Sequence, residues 1–389
     1  MEKTLFSLAL LLIAAKAGGL ISSKLKMPEV LGSLLAGVVL GPMALNLVQY
    51  DDISLLSNLG VIFLMFLAGL ETDAGQFKQA GKSAFVIAVM GIALPLALGT
   101  AGAFLFFSSP MENLFIGTIL TATSVSITVE TLAELGKLNT RPGINILGAA
   151  VIDDVLGLVL ISVLLGLNGN AGGGSFAAKM AGIAVFCLVG IAAVVFLPGV
   201  IEKFTADMQP GRALLTFSIA LALLAAGLAE RVGIAAITGA YLFGLLLSQL
   251  SQKEYLVRNV KAISSGFLAP IFFAGVGLEA KMDGSDLNVL LITLVMFFVA
   301  VVGKVAGCGA AARLFRMSRA ESLQIGTGMI SRGEVAIITA NIGLQNRIIT
   351  QEVFIPTILV VLLTTVATPI LLKLSFSHRF EQRLREKRP

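Results

Sequence analysis

Apolar runs close to the ~20 residues that carry a helix across a bilayer recur from one end of the chain to the other. Short polar punctuation separates them. The pattern predicts thirteen membrane-spanning helices, near 4–22, 29–47, 53–71, 83–107, 113–133, 144–167, 176–198, 212–229, 233–249, 262–280, 287–312, 320–341 and 353–373. No connection between them has room for an additional soluble domain, and "NGNAGGGS" (168–175) reads as a flexible linker. The expectation is an all-α polytopic membrane protein over 1–375 with a short basic tail over 376–389.

Composition sharpens this picture. Only 13% of residues are charged, against about 25% in a soluble domain. Mean hydropathy is +0.94. The two cysteines, Cys187 and Cys308, lie in separate apolar runs and read as small packing residues, and His378 sits in the basic tail. No CxxC, HExxH or phosphate-cradling glycine loop is present, so no cofactor is expected. The flanks of the first apolar run favour a retained helix over a cleaved signal peptide.

An odd number of spans puts the termini on opposite sides. With the N-terminus outside, twenty lysines and arginines fall on the cytoplasmic side and five on the outer side. The positive-inside rule then sets the orientation in the cell membrane, N-terminus out and C-terminus in. The same bias accounts for the net charge of +5, leaving nothing for a nucleic-acid partner. Lys16, Lys304 and Arg332 remain within spans; Lys16 is close enough to the inner end to snorkel.

A faint internal repeat emerges at an offset of 207 or 208 residues. "LGSLLAGVVLG" (31–41) aligns with "TGAYLFGLLLS" (238–248), "AGLE" (68–71) with "VGLE" (276–279), and "TSVSIT" (123–128) with "ISRGEV" (330–335). Spans 1–6 map onto spans 8–13, and seven intervening spans invert the second copy. Inverted repeats with broken helices at the midplane are the plan of many secondary transporters.

The polar groups inside the spans carry the chemistry. Asp153 and Asp154 sit in "GAAVIDDVLGLVL" (148–160), where carboxylates are costly and mark function. Neighbours on a helix point about 100° apart, so the two acids cannot converge on one point as in an aspartyl protease. One faces a hydrated cavity while the other turns to a neighbouring helix, with Lys304 as its cationic partner. An acid in oil holds a proton, yields it near an ammonium, and offers the same oxygens to a metal cation. Exclusive occupancy by proton or cation is the chemistry of antiport. The competing reading is an ion pair that only locks helix register. Thr123, Ser124, Ser126 and Thr128 interrupt one span and satisfy backbone groups freed by a break, or serve ordinary interhelical bonding. "SRGE" (331–334) has capping-box spacing, with Ser331 capping a new half-helix and Glu334 at its third position. Arg332 is placed against the negative end of the preceding half, or in a plain pair with Glu334.

Together these segments resemble the bacterial monovalent cation:proton antiporters, sodium/proton antiporters of the NapA type. "PEVLGSLLAGVVLGP" (28–42), "LGVIFLMFLAGLETD" (59–73), "GAAVIDDVLGLVLIS" (148–162), "FLAPIFFAGVGLE" (267–279) and "SRGEVAII" (331–338) are the matching landmarks, in order. The resemblance implies an NhaA-like fold with a homodimerisation domain, including spans 4–47 and 212–249. It also implies a six-helix core, including 113–167 and 287–341, crossed by two unwound helices. It implies Asp154 as carrier of Na+ (or Li+) and H+, Asp153 as salt-bridge partner of Lys304, Thr123 and Ser124 in the first unwound segment, and Arg332 and Glu334 in the second. Relatives often have proline where this chain has Ser331. Potassium-efflux relatives of the Kef type usually replace the first aspartate with glutamine and carry a nucleotide-binding domain after the last span. Asp153 and the short tail therefore favour sodium. Potassium/proton exchange, a sodium-coupled organic-anion symporter and a cation channel are the alternatives; the channel lacks a filter sequence.

Overall fold

The computed structural model describes residues 2–25, 27–167, 173–205, 211–232, 234–278 and 287–377. Among these residues there is no strand. The helices are α1 (Glu2–Lys24), α2 (Glu29–Leu40), α3 (Ser54–Glu71), α4 (Ala74–Ala103), α5 (Pro110–Ile119), α6 (Val125–Glu134), α7 (Arg141–Leu167), α8 (Gly173–Phe196), α9 (Pro198–Thr205), α10 (Arg212–Arg231), α11 (Ala236–Leu247), α12 (Lys253–Ile263), α13 (Ala269–Leu278), α14 (Leu287–Leu314), α15 (Arg319–Gly328), α16 (Glu334–Gln345) and α17 (Gln351–Ser375). Among the described residues, eight stretches are long and apolar enough to cross a membrane: α1, α3, α4, α7, α10, α12 with α13, α14 and α17. A π-helical turn over Ser264–Leu268 joins α12 to α13.

Several ends differ from the hydropathy reading. α2 stops at Leu40, where the Gly41 N–H closes on Gly37 O, and Asn46 at φ 50° helps turn the chain before α3. Conversely, α4 starts at Ala74 and α12 at Lys253, each nine residues before the apolar run begins. Lys78, Lys82, Arg258 and Lys261 depress the hydropathy there, but a helix satisfies its backbone whatever its side chains. α9, begun by Pro198, continues the chain as helix past the predicted span at 176–198. Lys16 is held by an ion pair to Glu29 at 2.9 Å, rather than only reaching for headgroups. The linker residues 168–172 and the tail beyond 377, with His378, lie outside the described residues.

The helices pack in two groups. α1, α2, α3, α10, α11, α12 and α13 pack on one another; α4, α5, α7, α14, α15, α16 and α17 form the other set, with α4 against α14 as its largest contact. α6 touches both, reaching α2 and α3 on one side and α7 and α17 on the other. Close approach in the first group depends on absent side chains. A Cβ on Gly37 would collide with the Ala274 carbonyl, and one on Gly244 with the Phe66 carbonyl. Likewise Gly277 abuts the Leu34 carbonyl, and Gly69 abuts that of Tyr241. Each contact has a counterpart displaced by 207 or 208 residues with its partners exchanged.

Candidate functional site

α7 presents Asp153 and Asp154 midway along its length, 3% and 7% exposed. Their divergence sends them to different neighbours. Lys304 of α14, fully buried, places Nζ 3.3 Å from both Asp153 carboxylate oxygens. Thr238 of α11 donates its hydroxyl to Asp154 Oδ2 at 3.0 Å. On α4, Gly91 leaves room for Cys308, next to the lysine: a Cβ there would stand 2.7 Å from Cys308 Sγ and at ordinary contact, 3.6 Å, from Nζ. One turn beyond the acids, a Cβ on Gly157 would meet nothing within 4 Å, so open space adjoins this face of α7.

Two gaps between successive helices meet each other. α5 ends at Ile119 and α6 starts at Val125; α15 ends at Gly328 and α16 starts at Glu334. Between the breaks, Ser124 N donates to Ser331 O at 2.8 Å, and the two residues are 207 apart. Thr128 Oγ1 ties α6 to Gly328 O at 2.7 Å. Thr123 and Ser124 are both buried; Ser124 Oγ meets Ser126 Oγ at 3.2 Å, and Thr123 Oγ1 lies 3.5 Å from Thr121 O.

Arg332, 1% exposed, closes the carbonyl ends of both preceding half-helices. Its Nη2 donates to Leu120 O at 2.7 Å; Nη1 donates to Ile330 O at 2.9 Å and Met329 O at 3.3 Å. The negative ends of two helix dipoles thus fall on one guanidinium. Its own backbone is pinned to α17, N to Thr364 Oγ1 at 3.2 Å and O to Thr365 Oγ1 at 2.9 Å. Arg332 also lies near enough to Asp153 for their charges to interact. Lys304 and Arg332 are thus two buried basic side chains that interact with Asp153.

The capping-box expectation at 331–334 fails. The residue capping α16 is Gly333, without a side-chain bond, so Glu334 opens the helix at its first position. Ser331 is fully buried and its Oγ has no hydrogen-bond partner among the described residues. Its carbonyl accepts from Ser124 N in the other break. The Glu334 and Cys187 side chains lie outside the described residues. The same S-R-x-E spacing recurs at 318–321, where Ser318 and Glu321 do form a capping box on α15.

Thr238 does not stand out in the sequence, because a threonine near glycines in an apolar helix is commonplace. A signal existed: the repeat puts Leu31 at the equivalent position, so one copy alone carries a hydroxyl there. Of the crevices between the helix groups among the described residues, two reach α6 or α16, the helices that follow the breaks. One, about 600 Å³, is bounded by Glu71, Lys253, Arg258 and Lys261 on one side and Ala133–Thr140 on the other. The second holds about 50 Å³ among Val61, Phe272, Val276, Ile337 and Val361, next to Gly333.

Known proteins resemble the chain along nearly its whole length. The chain is 34% identical over 372 residues to the Na(+)/H(+)-K(+) antiporter GerN of Bacillus cereus, covering 95% of this chain and 96% of that one. It is 36% identical over 377 residues to the Na(+)/H(+) antiporter of Enterococcus hirae, covering 94% and 96%. The solved structure of the sodium proton antiporter MjNhaP1 from Methanocaldococcus jannaschii at pH 8 superposes with a TM-score of 0.71 at 19% identity, covering 98% of both chains. That likeness concerns the fold. The family described as sodium/hydrogen exchanger, transmembrane, matches residues 8–374, nearly the whole chain, and the protein belongs to it.

Proposed function

We propose that the protein exchanges Na+, or Li+, for H+ across the cell membrane, with cation and proton taking turns on Asp154. The observation that carries this reading is the unequal treatment of two adjacent acids. Asp153 is bound to the Lys304 ammonium, while Asp154 accepts from the Thr238 hydroxyl, which can rotate to admit a cation. A carboxylate in that setting holds a proton or a metal ion, not both. Arg332 keeps the broken ends of α5 and α15 together, so that the crossing stays formed while polar backbone lines the site.

The eight long stretches, with α2, α8, α11 and the two broken pairs α5/α6 and α15/α16, fit thirteen crossings. Reciprocal glycine contacts displaced by 207 or 208 residues support inverted repeats over spans 1–6 and 8–13. Kinship with NhaA stays at the level of that plan. The group holding α7, α14, α15 and α16 is the moving core, and the group holding α1, α2, α10 and α11 the scaffold. Outward apolar residues on α1 and α10, such as Phe6, Ile13, Phe217 and Leu224, suit lipid or the second subunit of a homodimer. With the N-terminus outside, the wide crevice opens to the cytoplasm and the narrow, apolar one is the closed outer path.

Exchange in proteoliposomes tests the competition. The KM for Na+ rises steadily as pH falls, with the maximal rate unchanged. A maximal rate that falls at constant KM contradicts a shared site. K+ is assayed alongside, because one relative's name includes it.

A further inference from the structure

We propose that Thr238 supplies an oxygen ligand to the transported cation, from the helix group that does not carry the acids. This rests on Asp154 being the carrier. Thr238 is 2% exposed and its hydroxyl meets Asp154 Oδ2 at 3.0 Å. A threonine hydroxyl is donor and acceptor at once. In the cation-free site it donates to the carboxylate. When a cation arrives, the proton swings away and a lone pair faces the metal. Two oxygens 3.0 Å apart span one edge of an oxygen shell whose radius is about 2.4 Å, the range hard cations adopt. No bond is made or broken; the hydroxyl only rotates.

The position is built rather than incidental. Gly239 next to it lets α11 seat on the Ala225 carbonyl of α10, and Gly244 seats the same helix on α3. α11 therefore holds Thr238 on a rigid mount. Asp154 belongs to α7 in the other group, so the pair of oxygens forms only when the two groups meet as they do here. Thr238 completes the site at one end of the transport cycle and is left behind at the other. The repeat shows the same asymmetry, with Leu31 in the matching position.

The test is Na+/H+ exchange by the full chain in proteoliposomes, comparing Thr238→Val, Thr238→Ser and Asp154→Asn with the parent. Valine copies the shape without the oxygen; serine keeps the oxygen and loses the methyl. The valine variant is expected to raise the Na+ KM by roughly three- to tenfold, the fold-change one ordinary hydrogen-bond-sized contact gives, with kcat little changed. Serine is expected to stay near the parent. A parental KM in Thr238→Val overturns the proposal, and so does a serine variant worse than valine, which would mean that shape is what matters. If the valine protein does not insert, Thr238→Cys replaces it, since sulfur is a poor ligand for hard cations; an unchanged Na+ KM there overturns the proposal equally. Asp154→Asn separates the two claims. If it is silent while Thr238→Val is parental, only the threonine ligand is wrong. If it exchanges at the parental rate, the carrier assignment itself fails.

Discussion

Removing the Lys304 amine exposes how the acid pair is held. In Lys304→Met a charge fully inside the protein disappears and Asp153 keeps its place, 3% exposed. Two unit charges 3.3 Å apart attract by about 5 kcal/mol at an effective dielectric of 20. Breaking one side of a buried pair typically costs about 3–5 kcal/mol, because the remaining charge is left without its counterion. Removing both charges together restores neutrality, so Lys304→Met with Asp153→Asn should cost far less than the two single changes added. The difference should reach about 1–3 kcal/mol, the coupling seen between contacting residues. Equilibrium unfolding of the purified protein in detergent measures all four species. Additive single effects would falsify the claim that Lys304 and Asp153 act as one unit. Destabilisation below about 1 kcal/mol in Lys304→Met would show instead that water already reaches Asp153 and screens it.

Three further outcomes follow from the contacts. Arg332→Gln removes the charge from three half-helix carbonyl contacts, and exchange is expected to fall at least about tenfold, as befits the loss of charge-assisted bonds; a parental rate contradicts the role of Arg332 in holding the breaks. Glu134, at the end of α6, accepts from Glu29 N at 2.8 Å and Val30 N at 3.2 Å, capping α2 where its own Pro28 offers no side-chain bond. Glu134→Ala should therefore weaken the state seen here by about 1 kcal/mol, read as greater labelling of cysteines placed along the outer crevice; unchanged labelling contradicts a bond that must open during transport. Gly37→Ala and Gly244→Ala push a methyl into a facing carbonyl and should each destabilise by about 1–3 kcal/mol, measured by thermal unfolding. A large difference between the two would argue against equivalent contacts in the two repeats.

The acids, Lys304 and Arg332 stood out in the sequence because charge in an apolar run has no cheap explanation. The helix breaks were legible for a related reason: small polar residues at mid-span mark places where backbone groups are freed. What local spacing missed is which partner wins a contested group. S-R-x-E occurs at 318 and at 331, and only the first caps a helix, because the second lies where its serine backbone serves the opposite break. Lys16 was read against the bilayer alone, yet Glu29, a residue thirteen positions away, holds it. Thr238 needed the approach of α11 to α7, a contact between residues 84 apart that no local pattern encodes.

The most direct measurement of the central claim replaces one oxygen by nitrogen: Asp154→Asn, reconstituted in proteoliposomes, with Na+ uptake and proton release followed together. An asparagine cannot lose a proton or neutralise a cation in oil, so both fluxes should vanish while the protein stays folded. Coupled exchange at the parental rate would contradict the account.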